Sequence, residues 1–358
     1  MTEPNEHQTF NTDEFPYDEI SDPAVLSKNP LVSAKIITYN HESYIAKAIE
    51  GVLIQETDFS IELVIGEDCS TDHTRDIVLE YQKKYPEIIR VITSEHNVGR
   101  SKNSWRTTKA CRGKYIAFCE GDDYWTDPLK LQKQVDFLEA NPDYGLVHSD
   151  GDYFYVTKKK LIKSFNESRN VDLANVDDVF SAIIESSYPV ITCSVCLRSN
   201  ILNNSKPEID KMPKFKMGDT TKWLELSKRS KIHYFNESMV QHNLLEESAS
   251  QSRDPSKLLA FKKSGYALLK YFIDKYGVSR DTEKICHKKF NKVILHYAYL
   301  ANSKTDVNEA MNNLKQHCPT DITLMNKLEY FGTENKLFRI ISTVIIVIVK
   351  IFRKIQST

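Results

Sequence analysis

The sequence lacks a strong imbalance of charge. It contains 48 Lys and Arg against 49 Asp and Glu in 358 residues, which gives a formal net charge of −1 at pH 7. A protein that binds nucleic acid over much of its surface carries an excess of basic residues. The near-zero balance therefore argues against bulk nucleic-acid binding, and any charge effect must be local.

Two glycine-rich phosphate-binding motifs are also absent. Neither GxGxxG nor GxxxxGK[ST] occurs among the 11 glycines of the chain. Both motifs hold phosphate groups at the start of a helix. If the chain binds a phosphorylated ligand, a metal ion must take over that role.

Paired metal-binding cysteines and a membrane span are missing as well. The seven cysteines are an odd number and are widely spread, which fits a reducing compartment. Cys193 and Cys196 form a lone CxxC inside 191–197, a predicted strand, so we expect packed thiols rather than a zinc or redox pair. The uncharged run 340–349 is far shorter than the ~20 residues that span a bilayer. The polar first 29 residues predict a loose extension rather than a signal peptide.

What is present is a regular alternation of strand-like and helix-like segments. Predicted strands at 31–39, 62–65, 88–93 and 115–119 are separated by stretches with helical periodicity, and the last of them is a short apolar run. This order predicts βαβ units and a parallel sheet, so the class is α/β. The carboxyl ends of parallel strands meet at one edge, and open α/β sheets bind ligands there.

The run 115–119 ends in three carboxylates. Glu120, Asp122 and Asp123 surround a single glycine, and their mutual repulsion favours a hard divalent cation among them. The alternative is a solvated acidic turn before a helix. In that case Asp127 is the N-cap and Pro128 the first helical residue.

Five segments together resemble a known family. They are 32–40 (VSAKIITYN), 67–72 (EDCSTD), 97–99 (NVG), 113–123 (GKYIAFCEGDD) and 217–219 (MGD). In this order they resemble family-2 glycosyltransferases of the GT-A fold, of the type that builds bacterial polysaccharide, capsule or lipopolysaccharide. The resemblance covers residues 31–250.

The resemblance implies a domain organisation. The GT-A fold is a Rossmann-like, nucleotide-binding mixed sheet flanked by helices. After the N-terminal extension 1–29, we expect a nucleotide-sugar-binding half over 30–150 and an acceptor-binding half over 151–255. The lysine-rich, aromatic region 256–358 predicts a C-terminal helical extension that ends in an amphipathic helix.

The resemblance also implies an activity. The expected activity is the metal-dependent, inverting transfer of a hexosyl or N-acetylhexosaminyl group. The expected donor is a nucleotide sugar, specifically a UDP-sugar, and the acceptor is a glycan or lipid-linked glycan. Asp122 and Asp123 would hold Mn²⁺ or Mg²⁺ against the diphosphate, and Asp219 would be the catalytic base. The alternative for Asp219 is a helix N-cap. Glu120 stands where the family usually has aspartate, so the resemblance does not assign a role to Glu120.

The donor contacts implied by the resemblance are Thr38, Tyr39, Asp68, Arg100 and Asp122. Tyr39 and Asp68 would meet the base and ribose by ring stacking and hydrogen bonding. Thr38 has an equal alternative as a strand residue, and Arg100 as an exposed arginine that begins a helix.

One departure supports a rival function. Many relatives have Tyr-Arg-x-His after the helix that carries the base, whereas this chain has Gln241-His242-Asn243. An arginine that would contact the diphosphate is missing, and His242 replaces it only in part. The rival is a catalytically weak nucleotide-binding partner in a glycan-assembly complex. A metal-dependent phosphoryl-transfer enzyme or hydrolase is a third, weaker alternative.

The terminal segment 337–355 has a cationic stripe beside a broad apolar face. This pattern is typical of a helix that lies in a membrane surface, which would place the protein at the cytoplasmic, inner face of the cell membrane. A helix packed on its own core or on a second subunit is an equal alternative.

Overall fold

The structure is a computed structural model, and it describes residues 8–10, 17–245, 252–334 and 338–345. Within these residues eleven strands form one sheet. The strands are β1 Gln8–Phe10, β2 Tyr17–Ile20, β3 Val32–Thr38, β4 Ile61–Glu67, β5 Ile89–Thr93, β6 Tyr115–Glu120, β7 Tyr124–Trp125, β8 Tyr144–Tyr155, β9 Lys160–Ile162, β10 Cys196–Arg198 and β11 Lys231–Leu244. The helices are α1 Ile45–Leu53, α2 Thr74–Lys84, α3 Arg100–Ala110, α4 Lys130–Ala140, α5 Val179–Ile184, α6 Ser199–Asp210, α7 Gly218–Ser227, α8 Pro255–Tyr276, α9 Arg280–Leu300, α10 Lys304–His317 and α11 Leu324–Glu334.

The sheet is mixed, with a parallel centre. Its order is β1-β2-β5-β4-β3-β6-β10-β8-β11-β7, and β9 pairs with β8. The adjacent strands β5, β4, β3 and β6 run parallel, while β10 pairs antiparallel with both β6 and β8. The predicted βαβ alternation and the α/β class are therefore confirmed. Each of the four predicted strands lies within two residues of its observed bounds.

The core forms where buried strands meet an amphipathic helix. All seven residues of β3 are buried, as a strand covered on both faces requires. Helix α1 adds Ile45, Ile49 and Val52 to the same buried cluster. Burying each such aliphatic side chain contributes about 1.5–3 kcal/mol. This packing fixes the strands whose ends form the candidate site.

The predicted loose extension over residues 1–29 is wrong for residues 17–20. These residues form β2, which pairs antiparallel with β5. The Glu19 carboxylate accepts from Arg90 Nε at 2.7 Å and from Arg90 Nη2 at 2.8 Å. Arg90 also donates to Glu62 Oε2 and to the carbonyl oxygen of Ala110. A bidentate, buried pair of this kind ties the extension to the sheet.

Two local expectations are also wrong. The helix expected to begin at Pro128 begins at Lys130. The Asp127 carboxylate accepts from Leu129 N at 2.9 Å and so closes a turn just before the helix. The strand expected over 191–197 is a 3₁₀ turn at Thr192–Ser194 followed by β10. The turn carries Cys193 away from the sheet ladder, and only Cys196 pairs as a strand residue.

The described residues divide into two compact units. The first takes in residues up to Val179, Pro189–Met212 and Lys222–Leu244, and it contains the sheet. The second takes in Phe180–Tyr188, Pro213–Thr221 and the described residues from Leu245 onward. The predicted boundaries at residues 29, 150 and 255 stay predictions.

The second unit is mainly helical, as expected for the C-terminal region. Helices α8, α9 and α10 each begin at a side chain that accepts from a backbone N–H: Asp254, Ser279 and Ser303. Residues 338–345 are helical. The rest of the predicted amphipathic helix, residue 337 and residues 346–355, lies outside the described residues. Among the helices that are described, none combines the length and the apolar content needed to cross a bilayer.

A buried lysine lies at the start of α4. The Lys130 side chain is fully buried, donates to Gln134 Oε1 at 2.8 Å and lies 4.1 Å from the centroid of the Trp125 ring. Burial lowers the pKa of Lys130 to about 8. The folded protein therefore releases this proton at a lower pH than the unfolded chain does.

We expect this difference to appear in the pH dependence of stability. Between pH 8 and the ordinary lysine pKa of about 10.4, only the unfolded chain keeps the proton, so the free energy of unfolding rises with pH. Below pH 8 both states are protonated and the term is constant. From neutral pH to about pH 10, wild type should gain about 3 kcal/mol relative to Lys130→Met in urea unfolding. A difference that does not change with pH would contradict this assignment.

Candidate functional site

Three strand ends meet at one edge of the sheet, as the sequence predicted. β3 pairs in parallel with β4 on one side and with β6 on the other. Beyond the ladders, Asp68 N donates to the carbonyl oxygen of Thr38 at 3.1 Å, and Gly121 N donates to that of Ile37 at 3.0 Å. The polar residues that follow β3, β4 and β6 are therefore neighbours.

Gly121 is required by the close approach of these ends. A Cβ atom at this position would lie 2.6 Å from both His41 Nδ1 and Thr38 Oγ1. Those two atoms are themselves 3.2 Å apart. Thr38, a predicted donor contact, is buried in this arrangement. His41, which the sequence analysis did not select, joins the site because the turn after β3 folds back beside the acidic segment.

Asp68 holds the turn that precedes α3. Its carboxylate is buried and accepts from Val98 N at 2.9 Å and from Gly99 N at 3.0 Å. Arg106, which is fully buried, approaches the same carboxylate at 3.4 Å. A hydrogen bond from a nucleotide base would have to share these oxygens, so the base-binding role of Asp68 stays a prediction.

Tyr39 and Arg100 are the exposed members of the predicted donor site. The Tyr39 side chain keeps 41% of its surface accessible, which leaves a ring face for stacking. Arg100 lies at the start of α3, and its Nη2 is 3.4 Å from Glu120 Oε2. The Glu120 carboxylate is thus next to a cation.

The two aspartates after Gly121 differ in their surroundings. Asp123 is buried, and its carboxylate accepts from Asn243 N at 2.8 Å and contacts His242 Nδ1 at 2.8 Å. Asp122 is partly exposed, and its carbonyl oxygen accepts from Asn243 Nδ2. Burial, and then the charge of Asp123, raise the pKa of Asp122. A bound cation would favour its ionised form.

The Gln241-His242-Asn243 segment contacts the acidic loop, residues 120–123, through hydrogen bonds. Gln241 pairs with Tyr124 in the β11–β7 ladder, which places His242 and Asn243 beside Asp123. Burial lowers the pKa of His242, but the adjacent Asp123 outweighs burial and raises it to about 9. The His242 imidazole therefore holds its proton more strongly than a free histidine. The motif departure supplies a basic side chain, although not a bidentate arginine.

A third side chain joins this pair. One ligand atom from each of Asp123, Cys193 and His242 lies within 4.8 Å of the others. The group includes Asp123 but, among the described residues, not Asp122. Cys193 could not be selected from its CxxC spacing, because its neighbours here come from other segments of the chain.

Asp219 is the second residue of α7 and is partly exposed. It belongs to the second unit, whereas the other predicted site residues belong to the first. Its role as the base stays a prediction.

Sequence comparisons identify relatives. The glycosyl transferase family 2 profile matches residues 33–194. TuaG of Bacillus subtilis, named for teichuronic acid biosynthesis, is 31% identical over 232 residues, which cover 63% of this chain and 83% of TuaG. WfaP of Escherichia coli, a UDP-Glc:alpha-D-GlcNAc-diphosphoundecaprenol beta-1,3-glucosyltransferase, is 30% identical over 186 residues, or 51% of this chain and 66% of WfaP. An uncharacterised Mycobacterium tuberculosis protein is 48% identical over 107 residues, but that match spans only 31% of the relative and 30% of this chain.

Two solved structures share the fold. Residues 1–349 of S. aureus TarS in complex with UDP-GlcNAc align with a TM-score of 0.53 at 18% identity, over 84% of this chain and 79% of that one. The mannosyltransferase PcManGT from Pyrobaculum calidifontis, in complex with GDP-Man and Mn²⁺, aligns with a TM-score of 0.52 at 14% identity, over 92% and 89%. The predicted GT-A fold is therefore confirmed.

Asp68 gives a test of the site's architecture. In Asp68→Asn one oxygen becomes an amide that cannot accept, so a backbone N–H of the 98–99 turn and the Arg106 guanidinium lose a buried partner. We expect a loss of about 2–4 kcal/mol in the free energy of unfolding, measured with urea. The control is Asp76→Asn on α2, whose exposed side chain contacts the equally exposed His73, so this substitution should change the free energy of unfolding little. Equal effects of the two substitutions would contradict the role given to Asp68.

Proposed function

Because the chain belongs to glycosyl transferase family 2, we propose that it is a metal-dependent, inverting glycosyltransferase. Its proposed donor is a nucleotide sugar, specifically a UDP-sugar, and its proposed acceptor is a glycan or lipid-linked glycan. The observation that carries the proposal is the acidic segment Glu120–Asp123 at the carboxyl edge of the parallel sheet. Open α/β sheets bind their ligands at this edge.

The residues at this edge fit a divalent cation. Asp123 and His242 offer an oxygen and a nitrogen ligand side by side, and the Asp122 carboxylate follows from the same loop. Oxygen and imidazole ligands suit Mn²⁺, and oxygen ligands suit Mg²⁺. Such an ion supplies Lewis-acid stabilisation of the leaving diphosphate. Asp122 and Asp123 are the proposed ligands.

The chain's own residues have separate roles in the proposal. Tyr39 offers an exposed ring to the base, while Asp68 fixes the 97–99 turn and meets the ribose or base. Thr38 and Arg100 border the donor, and His242 contacts the Asp123 carboxylate through Nδ1 at 2.8 Å. Asp219 accepts the proton of the acceptor hydroxyl as that oxygen attacks the anomeric carbon. Attack opposite the leaving diphosphate inverts the anomeric centre.

A hexosyl or N-acetylhexosaminyl group and a UDP carrier are the finer part of the proposal. WfaP is named for a UDP-Glc donor and a diphosphoundecaprenol-linked acceptor. TarS was solved with UDP-GlcNAc, whereas PcManGT was solved with GDP-Man. Two of these three proteins use uridine, which supports UDP as the first nucleotide to test and GDP as the second.

We also propose that the segment beginning at residue 338 lies against a membrane surface, at the inner face of the cell membrane. Its polar side packs on Tyr299: the Tyr299 hydroxyl lies 3.1 Å from Ser342 Oγ, and the Arg339 guanidinium lies 4.9 Å from the ring centroid. The apolar side chains on the remaining surface are exposed: Phe338, Ile340, Ile341 and Val344. A helix packed on its own core would show the opposite arrangement.

Nucleotide binding tests the donor site. By titration calorimetry we expect UDP to bind wild type only with Mn²⁺ present, because the acidic loop would hold the ion and the ion would stabilise the charge of the diphosphate. Asp122→Ala should weaken UDP binding at least about tenfold, roughly the effect of losing one metal-ligand interaction. Asp219→Ala should bind UDP normally but slow sugar transfer by about 10²–10⁴-fold.

The same experiment separates the rivals. UDP binding with no transfer to any acceptor would favour the nucleotide-binding partner, and release of free sugar alone would favour the hydrolase. Binding of GDP but not UDP would overturn the uridine assignment. No metal-dependent binding of either nucleotide would overturn the donor site itself.

Vesicle binding tests the membrane proposal. The double substitution Phe338→Ser and Ile340→Asn replaces exposed apolar side chains, so it should keep the fold but reduce co-sedimentation with anionic vesicles several-fold. Val293→Asn, an exposed aliphatic residue of α9, is the matched control and should sediment like wild type. Unchanged sedimentation of the double variant would contradict the proposal, and truncation after Asn335 provides a second check.

A further inference from the structure

The strongest unassigned feature is a basic hairpin, residues 153–163, formed by the end of β8, a turn and β9. It contains no acidic residue and four lysines, all of them exposed: Lys158, Lys159, Lys160 and Lys163. The whole chain has a formal net charge of −1, so this segment concentrates a positive charge that the overall composition does not show. A local field of this kind attracts anionic partners.

The backbone of the basic hairpin has a defined shape. Residues 153–155 of β8 pair antiparallel with the three residues of β9. Between the two strands, Lys159 N donates to the carbonyl oxygen of Val156 at 3.2 Å and closes the turn. The four lysines lie at this turn, along β9 and directly after it. Their positive charges are therefore held close together by the sheet.

The described part of the chain does not neutralise these charges. None of the four lysines forms an ion pair with another described residue. Lys158 Nζ lies 5.7 Å from the centroid of the Tyr155 ring, which is a weak contact for an exposed cation. By contrast, exposed Lys114 lies 2.7 Å from the carboxylate of Glu139. Neighbouring cations without counter-charges repel each other, and an external anion relieves that repulsion.

Apolar side chains accompany the lysines. Leu161 keeps 42% of its surface accessible. Its partner in the ladder is half-buried Phe154, and directly opposed residues of two strands lie on the same face. A soluble polyanion would contact the lysines alone, whereas a lipid surface would also cover this apolar pair. The combination of charge and exposed apolar surface therefore favours an anionic lipid surface.

We propose that the basic hairpin binds the phosphate groups of anionic phospholipids at a membrane surface. The lysine ammonium groups lie among the headgroup phosphates, and Leu161 enters the boundary between headgroups and acyl chains. This inference goes beyond the proposed function, because it assigns a lipid contact that depends on charge to the unit that contains the sheet. The contact proposed for the segment beginning at residue 338 is apolar and belongs to the other unit.

Vesicle composition and salt test the charge dependence. At low salt, the full chain should co-sediment at least about tenfold more strongly with vesicles of equal parts phosphatidylcholine and phosphatidylglycerol than with pure phosphatidylcholine vesicles. Added salt should reduce this preference, because it screens exposed charges. Replacing all four hairpin lysines with glutamine should weaken binding to the mixed vesicles at least about tenfold and leave binding to the pure vesicles unchanged.

Two further variants separate charge from folding. Replacing the same four lysines with arginine keeps the charge, so this variant should bind the mixed vesicles like wild type. The matched control replaces with glutamine four exposed lysines of the same unit that lie outside the hairpin, and it should also bind like wild type: Lys28, Lys83, Lys84 and Lys109. Equal losses in the hairpin and control variants, or equal binding of wild type to both kinds of vesicle, would overturn the inference.

A substitution at Leu161 separates a lipid surface from a soluble polyanion. Leu161→Asn keeps all four lysines but removes the exposed aliphatic side chain, so it should weaken binding to the mixed vesicles several-fold. It should leave binding to soluble polyphosphate unchanged. If Leu161→Asn bound the mixed vesicles as tightly as wild type, the lysines alone would account for binding, and the assignment to a lipid surface would be wrong.

This inference and the proposed function fail separately. Metal-dependent sugar transfer by a protein without a preference for phosphatidylglycerol would overturn the inference and leave the proposed activity intact. A preference for phosphatidylglycerol that depends on the hairpin lysines, in a protein that binds neither UDP nor GDP, would support the inference and overturn the proposed donor site.

Discussion

The contact between Asp123 and β11 is the constraint on which the candidate site depends. Asp123 and His242 are 119 residues apart, yet their side-chain atoms lie 2.8 Å from each other. Asn243 adds its backbone N–H to the same carboxylate and its side chain to the carbonyl oxygen of Asp122. β11 therefore helps to fix the shape of the loop after β6. A buried carboxylate without these partners would be costly.

The acidic residues of the site are each placed near a basic one. Glu120 lies beside Arg100, Asp123 beside His242, and Asp122 near His41, whose charged form would lower the aspartate pKa. This arrangement limits the repulsion that three clustered carboxylates would otherwise create. If a cation binds at Asp123 as proposed, it would compete with His242 for the same carboxylate.

Much of the first unit could be predicted from sequence because its signals are local. The segments that form β3, β4 and β6 are rich in apolar residues, as strands covered on both faces must be, and they end in polar residues at a shared edge. The resemblance of the five motifs to family-2 glycosyltransferases predicted the GT-A fold. Both kinds of signal depend on residues that are close together in the chain.

The features that could not be predicted all depend on long-range pairing. β2 pairs with β5, where Arg90 donates two hydrogen bonds to the carboxylate of Glu19, 71 residues away in sequence. Cys193 joins a cluster because a 3₁₀ turn, rather than the expected strand, carries it towards Asp123. In the same way, the change to Gln241-His242-Asn243 looked like the loss of a diphosphate-binding arginine. In the folded chain His242 and Asn243 instead contact the acidic loop: His242 Nδ1 meets the Asp123 carboxylate, and Asn243 donates to Asp123 and to the carbonyl oxygen of Asp122.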